Sequence, residues 1–350
     1  MNVTDYLQTW AASYKEDFVN NIMPFWMRYG LDHKNGGVYT CLDRDGRLMD
    51  TTKSVWFQGR FGFIAAYAYN QIEQNPDWLA ASRSCIDFME KHCFDKDGRM
   101  FFEVTEEGLP LRKRRYVFSE CFAAIAMSEY ALASGDRTYA EKALDLFKRI
   151  LRNLATPGLL EPKYLLTLQA RGHSITMILI NTASRIRAAI SDPILDTQIN
   201  ESIAAIRRYF MHPEFKALLE MVGLDGELID TCNGRVINPG HCIETAWFIL
   251  EEAKHRHWDK DLVQMGIRIL EWSWEWGWDK EYGGIINFRD CRNFPVQDYS
   301  QDMKFWWPQT EAIIATLYAY QATCDEKYLD MHRQISDCLL YTSPSPRDRG

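Results

Sequence analysis

Gly36-Gly37-Val38-Tyr39 runs into Lys53-Ser54-Val55-Trp56-Phe57-Gln58-Gly59-Arg60, and far along the chain Gly283-Gly284-Ile285-Ile286 runs into Lys304-Phe305-Trp306-Trp307-Pro308-Gln309-Thr310-Glu311. Each is a glycine turn with strand-like residues after it, followed by an apolar helix carrying Lys, Trp and a charged residue at i, i+3 and i+7. That spacing puts Lys53, Trp56 and Arg60 on one helical face, and Lys304, Trp307 and Glu311 on the equivalent face of the second stretch. Two copies of one hairpin-plus-helix unit imply repeated αα-hairpins. Equivalent positions would then present a cation and an anion toward one centre. Chance likeness between two amphipathic helices is the competing explanation.

Outward from these stretches, helical periodicity dominates. It predicts helices over about 3–28, 54–75, 78–93, 118–134, 138–153, 171–190, 196–210, 240–256, 260–277, 308–323 and 326–337. Short Gly-punctuated hairpins are expected at Gly37–Met49, Gly98–Leu111, Leu219–Val236 and Gly283–Arg289. Pairing the helices in order leaves the last, 326–337, without a partner, and a closed ring of six hairpins needs a twelfth. After 337 the chain reads Cys338-Leu339-Leu340-Tyr341-Thr342 and then Ser343-Pro344-Ser345-Pro346-Arg347-Asp348-Arg349-Gly350, whose prolines oppose a continuing helix. The expectation is one domain over 1–337 with a foreign or disordered tail at 338–350, the natural protein continuing further.

Composition narrows the function. A net charge of −8 argues against a nucleic-acid partner, whose phosphates call for a basic surface. Met1 to Asn20 is polar and acidic and does not resemble a signal peptide, and no apolar run approaches the roughly 20 residues that span a bilayer. Nine cysteines, an odd number with no C-x-x-C pair, suggest buried thiols in a reducing, cytoplasmic setting rather than disulfides or a zinc site. Twelve Trp, 17 Tyr and 18 Phe supply flat apolar faces suited to sugar rings, though most will be core.

The segment richest in chemistry is Asn238-Pro239-Gly240-His241-Cys242-Ile243-Glu244-Thr245-Ala246-Trp247. Pro and Gly make a sharp entry, His241 falls in the first helical turn, and Glu244 lies at i+3 on the same face. A carboxylate raises imidazole basicity and a helix N-terminus lowers it, so the pair could yield a base near neutral pH. A surface histidine with no role is the plainer alternative.

With these residues in view, the pattern Asn-Pro-Gly-His-x-Ile-Glu-x-x-Trp, together with Lys-x-Trp-Trp-Pro-x-x-Glu-Ala at 304–312, Lys-x-x-Trp-x-Gln-x-Arg at 53–60 and Phe118-Ser119-Glu120-Cys121-Phe122, resembles the N-acylglucosamine 2-epimerase family over about residues 5–337. The resemblance implies an all-α, (α/α)6 barrel with short β-hairpin loops. It implies an isomerase that interconverts N-acetylglucosamine and N-acetylmannosamine at C2 of the open-chain sugar, one group removing the C2 proton and another returning one on the opposite face. His241 would be one such group, with Glu244 orienting it. Arg60 would stabilise charge on the carbonyl oxygen, and Glu311 would support a second histidine. Trp56, Lys53, Glu120, Trp247, Lys304, Trp306 and Trp307 would bind substrate, with either Trp306 or Trp307 stacking on it. The family's second histidine lies past 337, where this chain offers none, and His332 comes too early. The expectation is therefore weak or absent activity for the chain as written. No metal or required cofactor is implied. ATP as an activator is an implication of the family, with Thr156-Pro157-Gly158-Leu159-Leu160-Glu161-Pro162-Lys163 in about the right place, and so is a homodimer.

Other readings compete. Cellobiose 2-epimerases and mannose isomerases share the barrel but carry a further histidine on the inner helix near Arg171–Arg187. Here that stretch reads His173-Ser174-Ile175-Thr176-Met177-Ile178-Leu179, and Met177 and Pro308 look more like the N-acyl enzymes. His173 is either a substrate ligand or a helix-start histidine bonded to backbone, the second being favoured. An inverting glycoside hydrolase of the same fold would need two carboxylates about 6.5–9.5 Å apart, which Glu120, Glu244 and Glu311 could supply. A non-catalytic helical scaffold is the third class.

Overall fold

The computed structural model describes residues 2–113, 117–160 and 168–342. The chain clusters into two compact units, Met1–Lys163 with Thr182–Leu195, and Tyr164–Asn181 with Asp196–Gly350.

The first unit opens with α1 (Val3–Asp17), whose N-cap Asn2 accepts from Asp5 N at 2.9 Å. A π-turn at Phe18–Ile22 leads into α2 (Met23–Tyr29). Pro24 cannot donate to the preceding turn, and the widened turn absorbs that loss without ending the helix. Phe18, Val19 and Met27 pack with buried Met23 against Ala65, Ala68, Trp78 and Ala81 of the next two helices.

Those helices are α3 (Val55–Gln71) and α4 (Pro76–His92), followed by α5 (Phe118–Ser134) and α6 (Arg137–Ala155). Nearly every residue of α5 from Ser119 to Ala131 is buried, because α3, α4 and α6 all pack on it. The outer α6 shows the contrasting pattern, with Tyr139, Ala140, Ala143, Leu144, Leu146, Phe147 and Ile150 buried along one stripe. Contact between α3 and α5 is tight enough that a Cβ at Gly59 would stand 2.6 Å from the Phe122 carbonyl carbon.

The second unit holds most of α7 (His173–Ala189) and α8 (Pro193–Ala205), then a π-turn at Ile206–Phe210. It continues through α9 (Pro239–His255), α10 (Lys260–Gly277), α11 (Trp306–Thr323) and α12 (Lys327–Thr342). Helix α9 packs against both α10 and α11, and α12 packs on α11. Short antiparallel pairs tie the loops: Arg171–Gly172 with Met221–Val222, Met211–His212 with Ala217–Leu218, and Val236–Ile237 with Arg289–Asp290.

Two expectations about chain order need correction. The last helix is not the unpaired one, since α12 lies on α11; the N-terminal helical run precedes the first hairpin, so pairing starts at α3. That last helix also runs past 337 to Thr342. Its tail prolines, Pro344 and Pro346, fall in residues 343–350, outside the described residues.

The repeat read from the sequence is real, and its function is mechanical. In the first copy the Asp32 N–H donates to Gly37 O at 3.0 Å, and Lys53 Nζ donates to Asp32 Oδ2 at 2.6 Å. Gln58 then clamps one hairpin residue twice: Val38 N donates to its Oε1 (2.8 Å) and its Nε2 donates to Val38 O (2.6 Å). In the second copy Asp279 N donates to Gly284 O (2.9 Å), Lys304 pairs with Asp279 (2.7 Å), and Gln309 clamps Ile285 N and O at 2.7 and 2.8 Å. A third copy was not seen in the sequence. Asp95 pairs with Lys113 (2.6 Å), and Met100 N donates to Glu120 Oε1 (2.7 Å), with a carboxyl where the other copies have an amide.

This geometry corrects the idea that the two lysines point at a common centre. Lys53 is fully buried, and its ammonium is spent on Asp32, Gly36 O and Glu106 O. Both lysines lie before their helices rather than on them, so the helical-face argument did not apply to them.

Candidate active site around His241

Local sequence builds the entry to α9. Asn238 is the N-cap and its Oδ1 accepts from His241 N at 3.1 Å, while Pro239 occupies the first turn where no donor is missed. Gly240 is required by a neighbour: a Cβ there would sit 2.5 Å from the Trp307 ring and 3.0 Å from Pro308. The absent side chain lets Trp307 lie against His241, with ring centroids 5.2 Å apart and planes inclined at 38°.

The carboxylate on His241 is one the sequence reading passed over. Glu220 Oε1 lies 2.9 Å from His241 Nδ1. Burial pushes the Glu220 carboxyl up, but the adjacent His241, with its hydrogen bond, and the nearby His173 ring outweigh it and hold it well below the usual carboxylate range. The signal was an acid in the apolar run Leu218-Leu219-Glu220-Met221-Val222, a placement that calls for a partner. Glu244, the expected orienting group, stands one turn along α9 and is half-buried.

His173 is fully buried at the start of α7. Its backbone N–H donates to Glu220 O (3.0 Å), its Nε2 lies 3.1 Å from Thr245 Oγ1, and its ring meets Phe210 edge-on. His173 stands at a helix start, as the favoured reading has it, but its ring meets the Thr245 hydroxyl and the Phe210 ring rather than backbone.

The remaining expected residues distribute as follows. Trp247 Nε1 donates to Glu311 Oε2 at 2.6 Å, and the Trp247 ring stacks on Tyr318 at 8°. Trp307 is the tryptophan at the histidine; Trp306 is 60% exposed to solvent. In the first unit, the exposed Arg60 guanidinium lies 4.2 Å from the Phe122 ring centroid, and Trp56 stacks on Phe118. Arg60 also lines a mostly apolar hollow of about 400 Å³ with Trp26, Tyr39 and Phe57.

Lys53 and Glu120 are buried within the hairpin clamps, and Lys304 is held by Asp279. All three side chains bond to the hairpin loops. His332 is buried on α12, and burial together with Arg333 takes its pKa down to about 4. Of the segment suggested for ATP, Glu161–Lys163 lies outside the described residues. Among the described residues there is no cluster of three or more His, Cys, Asp or Glu arranged for a metal, and no helix is long and apolar enough to cross a membrane.

The chain is similar to proteins of known activity. Human N-acylglucosamine 2-epimerase is 30% identical over 356 residues, covering 98% of this chain and 81% of the human protein. The Bos taurus enzyme of the same name is 29% identical over 337 residues, 94% of this chain and 79% of its own length. Among solved structures, cellobiose 2-epimerase from Bacillus thermoamylovorans B4167 superposes with a TM-score of 0.82 at 20% identity, over 94% of this chain and 87% of that one. This likeness carries the (α/α)6 fold class expected from the sequence. The sequence profile of the N-acylglucosamine 2-epimerase family matches residues 37–342, and the chain belongs to that family.

Proposed function

We propose that the chain interconverts N-acetylglucosamine and N-acetylmannosamine by moving a proton at C2 of the open-chain sugar. The observation that carries this reading is the His241 imidazole, backed by the Glu220 carboxylate on one nitrogen and faced by the Trp307 ring.

In the open chain the C1 aldehyde acidifies the C2 proton, because the electron pair left behind spreads onto the carbonyl oxygen as an enolate. His241 takes the proton; a carboxylate beside its ring stabilises the imidazolium that forms. By resemblance, Arg60 would steady the negative oxygen, a task suited to an always-charged guanidinium. Trp307 offers its face to the apolar C–H side of the sugar. By resemblance, Glu244 would help orient His241, and Glu311 would support the acid on the opposite face. A second acid on the opposite face returns a proton to C2 as the enolate collapses to the aldehyde, and no electron transfer occurs, so the step needs no redox cofactor. ATP as an activator, a homodimer and a cytoplasmic location complete the reading on family resemblance.

Separate incubations with N-acetylmannosamine, cellobiose and mannose test the assignment. Formation of N-acetylglucosamine from the first, without comparable products from the others, is the expected result. Turnover of cellobiose or mannose alone would replace it with the neutral-sugar reading, and release of a reducing end from an oligosaccharide would replace it with hydrolysis.

A further inference from the structure

We infer that Glu220 is a positioning residue that fixes the tautomer of His241, placing the hydrogen on Nδ1 and the reactive lone pair on Nε2. The inference rests on the reading of His241 as the group that takes the C2 proton.

An ionised carboxylate only accepts, so the 2.9 Å contact requires His241 Nδ1 to be the donor. Neutral imidazole then has its lone pair on Nε2. The carboxylate is itself held from both sides of its backbone. Glu220 N donates to Val236 O at 3.2 Å, Glu220 O accepts from His173 N at 3.0 Å, and the next two residues pair with Arg171–Gly172. An orienting group carried on a strand junction of this kind keeps its geometry better than one on a loop tip.

His173 and Thr245 close the arrangement. His173 Nδ1 lies 3.8 Å from the same Glu220 Oε1, too far for a hydrogen bond, and has no hydrogen-bond partner. Thr245 Oγ1 lies 3.1 Å from His173 Nε2 and 2.8 Å from His241 O. A threonine has one proton to give. Donated to the His241 carbonyl, it leaves Thr245 accepting from His173 Nε2–H. Glu220 thus stands before two imidazoles, hydrogen-bonded to His241 and 3.8 Å from the buried His173 ring.

The test is the E220Q variant of the full chain, which keeps the shape and removes the charge. Histidine ¹⁵N NMR, with the His241 signals identified by their loss in H241N, reads the tautomer and its titration. In the unsubstituted chain neutral His241 carries its hydrogen on Nδ1. In E220Q the tautomers mix and the His241 titration moves to lower pH, since the anion favouring the imidazolium is gone. The turnover number falls on the order of 10²-fold, KM changes little by comparison, and E220D recovers part of the loss. The NMR result stands whether or not the sugar assignment holds, so failure of one is separable from failure of the other. An unchanged tautomer and titration in E220Q would overturn the inference, whatever happens to turnover.

Discussion

Replacing Glu120 by glutamine is expected to stabilise this protein at pH 8, although it removes a charge from a carboxyl at a motif that resembles the family's. The reason is the hairpin clamp. Gln58 and Gln309 each accept from a hairpin N–H and donate to the carbonyl of the same residue. Glu120 accepts from Met100 N, but its Oε2, the atom corresponding to the amide nitrogen, is buried without a hydrogen-bond partner. Burial raises the Glu120 pKa, against the Met100 N–H, the Arg99 and Lys113 charges and its own backbone. A protonated carboxyl can donate as an amide does; an ionised one cannot. Glutamine supplies the donor at every pH, and relief of one buried unsatisfied group is worth about 1–3 kcal/mol. In a chain of 350 residues that corresponds to a melting temperature roughly 1–4 °C higher.

The sign with pH follows from the raised pKa. The unfolded chain ionises Glu120 at an ordinary pH, while the folded chain resists. Its contribution is therefore complete in acid and is lost as pH rises through the folded value. Thermal unfolding of both proteins between pH 4 and pH 8 should show near-equal stability at the acid end and a growing advantage for E120Q toward pH 8. A glutamine variant less stable at pH 8, or an advantage that does not shrink in acid, would refute the argument.

Other consequences are simpler. K53M should cost about 3–5 kcal/mol in chemical denaturation, because it leaves Asp32 buried without its cation. Burial pushes the Asp32 carboxyl up, yet Lys53 and the turn N–H groups outweigh it and hold it at about 2. This pair's stability is therefore present above about pH 4 and lost as pH falls through about 2, which acid titration followed by circular dichroism would show. G59A should cost about 1–3 kcal/mol by forcing α3 from the Phe122 backbone, read as a lower melting temperature. W307A should raise KM by removing the ring beside His241; an unchanged KM would mean the sugar stacks elsewhere.

Much of the fold was legible because helical periodicity is a local property. The helix expected at 118–134 matches Phe118–Ser134, and the one at 260–277 matches Lys260–Gly277. Pairing register was not legible, since it depends on where the N-terminal run docks rather than on any helix alone. The site divides in the same way. His241, Trp307 and the Trp247–Glu311 bond lie on helices α9 and α11, whose entries have strong sequence signatures. Glu220 reaches His241 from the junction between two short strands, 21 positions upstream, and no helical spacing rule connects them. The lysines were misread because a residue just before a helix points by hairpin geometry, and in both copies that geometry gives it an aspartate.

His241 is proposed to remove the C2 proton of an N-acyl amino sugar. Proton NMR of N-acetylmannosamine in D₂O tests it most directly, comparing the chain with H241A. The C2 proton signal should decay as deuterium enters, with N-acetylglucosamine forming wherever the opposite face is protonated. H241A should slow the exchange by about 10²- to 10⁴-fold. Exchange that persists unchanged in H241A, or a C2 signal that never decays with the intact chain, would contradict it.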